Sequence, residues 1–336
     1  MSRRFLSAAR SIAPALLILT LLSAAAQAQT AAGAFQRTLT VGASPAIEIS
    51  AGAGRIDIRP GAPDRVEISA EVRAGEWTGW FRRGGLSAQE RVRQVEASPP
   101  VEQSGDTVRI GYVADDDRRH GVTISYVLTV PPASNIVART GSGSQQVEGV
   151  SGRVETHSGS GSLTLRAVGA VRASAGSGSI TADRVEGAFH ASTGSGSIRA
   201  LDVAGPVTAK TSSGGIEVVQ TGSGAVDVSS SSGSISVRGV RGSLQASTSS
   251  GGLTLQGELA GDWRVSASSG SVRIALPPAQ GFELDVHTGS GSIDVDFPVT
   301  VQGTVGRRSL KGSAQGGGPL LHVRTSSGGI AIQKRT

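Results

Sequence analysis

Apolar and polar residues alternate in short bursts along most of this chain, and the bursts recur at a nearly fixed interval. One set reads Leu163-Thr164-Leu165, Ile198-Arg199-Ala200, Ile216-Glu217-Val218, Ile235-Ser236-Val237, Val272-Arg273-Ile274, Ile293-Asp294-Val295 and Ile330-Ala331-Ile332. A second set falls half an interval away: Val154-Glu155-Thr156, Val207-Thr208-Ala209, Val226-Asp227-Val228, Leu244-Gln245-Ala246, Trp263-Arg264-Val265 and Leu321-His322-Val323. Alternation with period two is the mark of a strand with one buried and one wet face. The pattern predicts two strands per repeat, each too short to own a core.

Between the bursts stand Ser/Gly turns whose last glycines are Gly143, Gly161, Gly178, Gly196, Gly214, Gly233, Gly251, Gly270, Gly291 and Gly328. Successive spacings are 18, 17, 18, 18, 19, 18, 19, 21 and 37 residues. Repeats this short bury their aliphatic face only by stacking on neighbours, and equal register favours parallel pairing. Glycine suits a sharp corner, and a serine hydroxyl can bond nearby backbone. Thr140, Thr193, Thr211, Thr248, Thr288 and Thr325 are expected to stack beside that corner. The expected fold is all-β: a single-chain parallel β-solenoid of the β-helix or β-roll type, with about 18 residues and two strands per coil. Roughly eleven coils at about 4.8 Å give a rod on the order of 50 Å long. The last gap is about two repeats, so a degenerate coil is expected near 300–320.

Residues 29–135 lack the repeat and are expected to form an N-terminal β cap continuous with the solenoid over 136–336. Candidate strands are Ile47-Glu48-Ile49, Arg55 to Arg59, Val66-Glu67-Ile68, Val108-Arg109-Ile110 and Val122 to Val130. Ser87 to Val95 reads as one short helix, with Ser87 as N-cap and Glu90 closing a capping box. An open solenoid end exposes unpaired backbone, so a cap is physically expected.

The first 28 residues read as a signal peptide. Arg3, Arg4 and Arg10 make the basic region, Ala13 to Leu22 the apolar run, and Ala26-Gln27-Ala28 the small-residue cleavage site. The product is expected to be exported, and to be periplasmic, secreted or at the cell surface. With no Cys in the sequence, neither a disulfide framework nor an N-terminal lipid-modified cysteine is expected. The full chain carries 32 Lys and Arg against 26 Asp and Glu; losing three Arg with the leader lowers the balance from +6 to +3. The Arg are scattered among acids instead of clustered, which argues against nucleic acid as a partner.

This layout resembles the putative-adhesin β-strand-repeat family of exported bacterial proteins, a domain of unknown function. The resemblance lies in Ile47 to Ile58 with its early Gly turn, and in the Val127 to Pro131 strand ending in proline. It also lies in the repeated turns and in the close Leu320 to Ile330. It implies the fold and names no catalytic residues. The family's usual Gly-Asp turn is mostly Gly-Ser or Gly-Gly here, which weakens the idea of a cation-binding edge.

Candidate chemistry is sparse. A calcium-binding nonapeptide needs Asp two places after its second Gly, where this chain has Leu163, Ile180, Ile198 and Ile293. No metal or cofactor is expected. His157 and His287 should share one column of the rod about seven coils apart, roughly 30 Å, too far to share an ion. Asp115 to His120 reads as a solvated hairpin tip. Glycoside hydrolysis needs two carboxylates within about 10 Å, and Glu217 and Asp227 are expected on different faces of one coil. No catalytic residue is assigned, and no Ser sits in a nucleophile elbow.

The candidate ligand-binding residues are Trp77, Trp80, Phe81, Arg82 and Arg83, which hold two of the three Trp beside paired Arg. Such a loop could stack on sugars or meet a membrane surface. The favoured reading of the same residues is that the aromatics plug the open end of the solenoid, just ahead of the Ser87 helix. The reading reached is a non-catalytic envelope or surface protein, an adhesin-like binding or structural module. Its expected partners are an envelope polysaccharide, a membrane surface or another envelope protein. The alternative is a β-helix carbohydrate-active lyase or hydrolase.

Overall fold

The computed structural model describes residues 31–75, 86–111, 121–301 and 306–335. Two parallel sheets face each other, and the chain passes from one to the other at tight corners, so each circuit is one coil. The regular rod runs from β8 (Asn135–Thr140) and β9 (Gln145–Glu148), through β10 (Val154–Ser158) and β11 (Leu163–Val168), to β22 (Trp263–Ser269) and β23 (Val272–Leu276). Pairing is in phase, with register shifts only after Ala200 and Val237: Val154 lies between Ile136 and Val171, and Leu163 between Gln145 and Ile180. The alternation read from the sequence becomes alternation in space, because each inward aliphatic side chain stands on its counterpart in the next coil. The core is this double column, from Ile136 and Val154 to Val265 and Ile274, all buried. Trp263 fills the first inward place of its strand and donates its indole N–H to the Gly242 carbonyl at 3.0 Å.

At the corner that follows each β8-like strand, the last Gly of the turn packs closely on the backbone of the neighbouring coil. A Cβ on Gly161, Gly178, Gly196 or Gly214 would meet the carbonyl of the corresponding Gly one coil back. None of these four has a left-handed φ, so close approach of stacked backbones demands glycine here. At the opposite corner the demand is conformational. Ala167, Arg184, Asp202 and Gly239 hold one equivalent place with φ of 49°, 54°, 56° and 76°, and the kink turns Val168, Val185, Val203 and Val240 inward.

The ends depart from the sequence reading. β2 (Ala46–Ala51) and β3 (Ile56–Pro60), expected as cap strands, form a true coil. So do β6 (Thr107–Ile110) and β7 (Val122–Val130), which pair parallel with β2 and β3. These coils lack the Ser/Gly spacing because long connections interrupt them, yet their inward residues Ile47, Ile49, Ile56 and Ile58 keep the phase. Beyond them, β4 (Arg65–Ala74) pairs antiparallel with β7 and β1 (Ala31–Thr40) antiparallel with β4, which closes one sheet. β5 (Val101–Ser104) closes the other on β6. Helix α1 (Ala88–Ala97) lays Ala88, Val92 and Val95 against β1 and β4. Ser87 is its N-cap, with the reciprocal Glu90 bonds of a capping box.

The other end also departs from the repeat expected there. Residues 299–314, expected within a degenerate coil, instead give β26 (Val299–Val301) and β27 (Ser309–Ala314), which pair antiparallel. β27 covers the outer edge of β24 (Phe282–Ser290). An edge strand with bare N–H and C=O groups needs a partner, and an antiparallel hairpin supplies one without continuing the stack. The chain then turns back. β28 (Leu320–Ser327) enters between β22 and β24, and β29 (Ile330–Lys334) between β23 and β25 (Ile293–Val295). Twelve coils are stacked among the described residues, in an order that differs from chain order at both ends.

Candidate functional site

The inner corner hydroxyls are buried and already bonded in both directions. Thr193, Thr211 and Ser230 are buried, and each oxygen works twice. It accepts the N–H of the Gly three residues ahead, at 3.2, 3.1 and 2.9 Å. Each hydroxyl then donates to the carbonyl of the Gly one coil back, at 2.9, 3.0 and 3.0 Å. The expected Thr ladder is therefore a chain of hydrogen bonds linking coil to coil. Outside it, Ser142, Ser160, Ser177, Ser195, Ser213 and Ser232 are exposed, one per coil. They form a narrow ridge of hydroxyls spaced by about 4.8 Å, with no larger side chain beside them to wall a cleft.

The two broad faces carry charges that neutralise one another across neighbouring coils. Arg199 reaches Glu217 at 2.8 Å, Lys210 reaches Asp227 at 3.2 Å and Arg139 reaches Glu155 at 3.7 Å. Exposed pairs like these contribute at most about 1 kcal/mol each. Glu217 lies in one sheet and Asp227 in the other, each held by its own cation. Asp57, by contrast, is buried beneath Arg55 and Arg59. Arg59 grips it through Nε at 3.1 Å and Nη2 at 2.8 Å, and these bonds raise the Arg59 pKa. This is a bidentate pair within one strand, β3, and not an open site.

His157 and His287 do occupy one outward column. The inserted coil makes the separation eight strand steps, about 38 Å, against the seven expected. His157 Nδ1 lies 2.7 Å from Ser174 Oγ in the next coil. Among the described residues, no three His, Asp or Glu side chains converge in a way that could hold a metal ion. No described helix is long and apolar enough to cross a membrane.

One juxtaposition escaped the sequence reading. His322 Nδ1 lies 3.2 Å from Asp285 Oδ2, and across four strands Arg264, His322, Asp285 and Lys311 stand in one register row. Only the insertion of β28 beside β24 brings His322 to Asp285. The sequence signal is their shared outward phase, which gives no hint of adjacency.

Trp77, Trp80, Phe81, Arg82 and Arg83 lie outside the described residues, as does the Asp115 to His120 run. Their anchor points are described. The Gly75 N–H donates to the Gly121 carbonyl at 3.3 Å, so the residue before the first stretch is bonded to the residue after the second. Arg91 of α1 holds the same point, its Nη2 donating to the Gly75 carbonyl at 2.7 Å. On the return side, Leu86 is 50 % exposed just before the Ser87 cap. The capping box also fixes Glu90. The Ser87 backbone N–H and hydroxyl both donate to its carboxylate at 2.8 Å, and its pKa is lowered for that reason.

The profile of the Toastrack DUF4097 family matches residues 125–333. No curated protein matches the sequence. Among solved structures, a putative cell adhesion protein from Clostridium sporogenes is 9% identical, with 90% of this chain and 100% of that one covered at a TM-score of 0.20. A putative adhesin from Bacteroides fragilis is 12% identical, with 90% and 97% covered at 0.35. A putative lipid binding protein from Parabacteroides distasonis is 9% identical, with 90% and 97% covered at 0.34. Likeness at this level carries no functional weight.

Proposed function

The chain belongs to the Toastrack DUF4097 family, and on that premise we propose that it is a non-catalytic rod of the bacterial envelope, adhesin-like in binding through its surface. The observation that carries this reading is the way its polar groups are used. Corner hydroxyls bond from coil to coil, and facial charges pair with neighbouring coils. Flat faces and a regular hydroxyl ridge suit a repetitive ligand held weakly at many points. Residues 1–28 direct export in this reading, and the working location is the periplasm or the cell surface.

The ligand contact with most chemistry is the stretch from Trp77 to Arg83. Its aromatic and guanidinium groups suit sugar rings or phosphate. Gly75, which precedes it, is held by Gly121 and Arg91.

The test incubates the purified chain with isolated envelope polysaccharide, peptidoglycan and lipid vesicles, and scores sedimentation and soluble sugar fragments together. Co-sedimentation without fragments, lost in a Trp77→Ala/Trp80→Ala variant, is the expected result. Released fragments would overturn it in favour of a polysaccharide lyase or hydrolase.

A further inference from the structure

The coil formed by β28 and β29 is the last in sequence and the second from the end in space. It is hydrogen-bonded on both sides in both sheets. Leu321 stands between Trp263 and Leu284, Val323 between Val265 and Val286, and Ile330 between Val272 and Ile293. The two flanking coils therefore face the slot in identical register. Were the slot empty, Trp263 would align with Leu284 and Val272 with Ile293, apolar on apolar, as everywhere else in the rod. The corner agrees. Thr325 donates to the Gly270 carbonyl at 3.5 Å, and Thr288 donates to the Gly328 carbonyl at 3.0 Å. With the coil withdrawn, Thr288 would meet Gly270 as Thr193, Thr211 and Ser230 meet the coil behind them. The step from Gly270 to Gly291 is 21 residues, longer than the regular 17 to 19. Its extra length lets the chain span two strand spacings, with the coil inserted, or loop out over one.

The entry to the slot is a hinge. Gln315, Gly316, Gly317 and Gly318 have φ of 50°, 86°, 84° and 152°, four consecutive residues in the left-handed region, and Pro319 follows. Glycine accepts these values freely, whereas Gln315 is strained by them. No cysteine cross-links the coil to its neighbours.

We propose that residues 320–334 form an exchangeable coil, and that the slot between β22/β23 and β24/β25 accepts this coil from a second copy of the chain. Exchange keeps every inward contact and every ladder hydrogen bond of the coil and changes only the hinge, which is the condition under which swapped dimers form at low cost. The product is two rods joined at their C-terminal ends, with both N-terminal ends left free. For a weakly binding rod this doubles the contacts made by one particle. The inference stands on strand order and register, independently of what the rod binds.

The absence of native cysteine makes the test direct. Ser269 and Ser327 are exposed and in register across β22 and β28. Neighbouring strands place such Cα atoms within disulfide reach. S269C and S327C full-length chains, one of them tagged, are mixed, incubated below the unfolding transition and oxidised. The exchanged dimer gives a disulfide-linked heterodimer at least about tenfold above that from an S142C and S327C mixture, because effective concentration exceeds that of random collision. Ser142 is equally exposed but lies far along the rod. An S269C/S327C double variant, oxidised while dilute, locks its own coil. Its dimer, read by light scattering, is expected to vanish and to return on reduction. Equal cross-linking in both mixtures, dimers that form in spite of the lock, or a chain that stays monomeric at every concentration would each overturn the proposal.

Discussion

The hydroxyl of Thr211 donates to the carbonyl of Gly196, one coil back, at 3.0 Å, while its oxygen accepts the N–H of Gly214 at 3.1 Å. A single side chain thus adds to the backbone bonds from Ser212 and Ser213 to the Gly194 carbonyl that already join the two coils at this corner. Thr211→Val keeps the shape and removes both bonds, leaving a buried carbonyl and a buried N–H without that partner. A cost of about 1–3 kcal/mol is expected in urea denaturation. Thr211→Ser should lose much less, because Ser158 and Ser230 hold the same place with the same bonds. If Val and Ser variants melt alike, the ladder contributes no stability.

Gly196 tests the other half of that contact. Its neighbour Ser195 is exposed, whereas a Cβ on Gly196 would collide with the Gly178 carbonyl. Gly196→Ala must push two coils apart and should cost about 3 kcal/mol. Ser195→Ala should change stability by under about 0.5 kcal/mol. Thermal or urea midpoints decide between them; a tolerated Gly196→Ala would mean that the stack is looser than the contact implies.

Ala167 and Gly239 sit at equivalent kinks with φ of 49° and 76°. Ala167→Gly removes left-handed strain and adds unfolded-chain entropy, so a net change within about 1 kcal/mol is expected. Gly239→Ala adds the strain and also presses a Cβ on the Gln220 carbonyl. The second variant should be clearly the less stable, and equal midpoints would contradict the kink's role in turning Val240 inward.

The Glu90 carboxyl titrates below its ordinary 4.5 because the Ser87 backbone N–H, then the Ser87 hydroxyl, donate to it. A lowered carboxylate pKa stabilises the helix fully above the ordinary value, and that support fades as pH falls through the lowered one. Amide exchange protection across α1 is therefore expected to drop on acidification below about pH 4.5, and Glu90→Gln should remove that step. A step that persists in Glu90→Gln belongs to another group.

Coil length, strand phase and corner chemistry were legible from residue 141 onward, because each depends on neighbours within one repeat. Val154 to Thr156 alternate wherever their coil is placed, and Gly161 must lack a Cβ beneath any coil. The capping box of Ser87 and Glu90 is equally local. The coils of β2/β3 and β6/β7 were harder to see, since long connections hide their spacing while their aliphatic phase survives.

Sequence by itself determined what one coil is; only the tertiary structure decided the order in which coils stack. Every coil offers the same in-register aliphatic edge to both sides, so local pattern is nearly blind to a permutation of its neighbours. Nothing within Leu321 to Ile332 states that its partners are Trp263 and Leu284. Those contacts follow from long-range closure: the antiparallel β26/β27 hairpin covers one edge and the glycine hinge at 316–318 turns the chain back. The same closure sets His322 against Asp285 and Gly75 against Gly121.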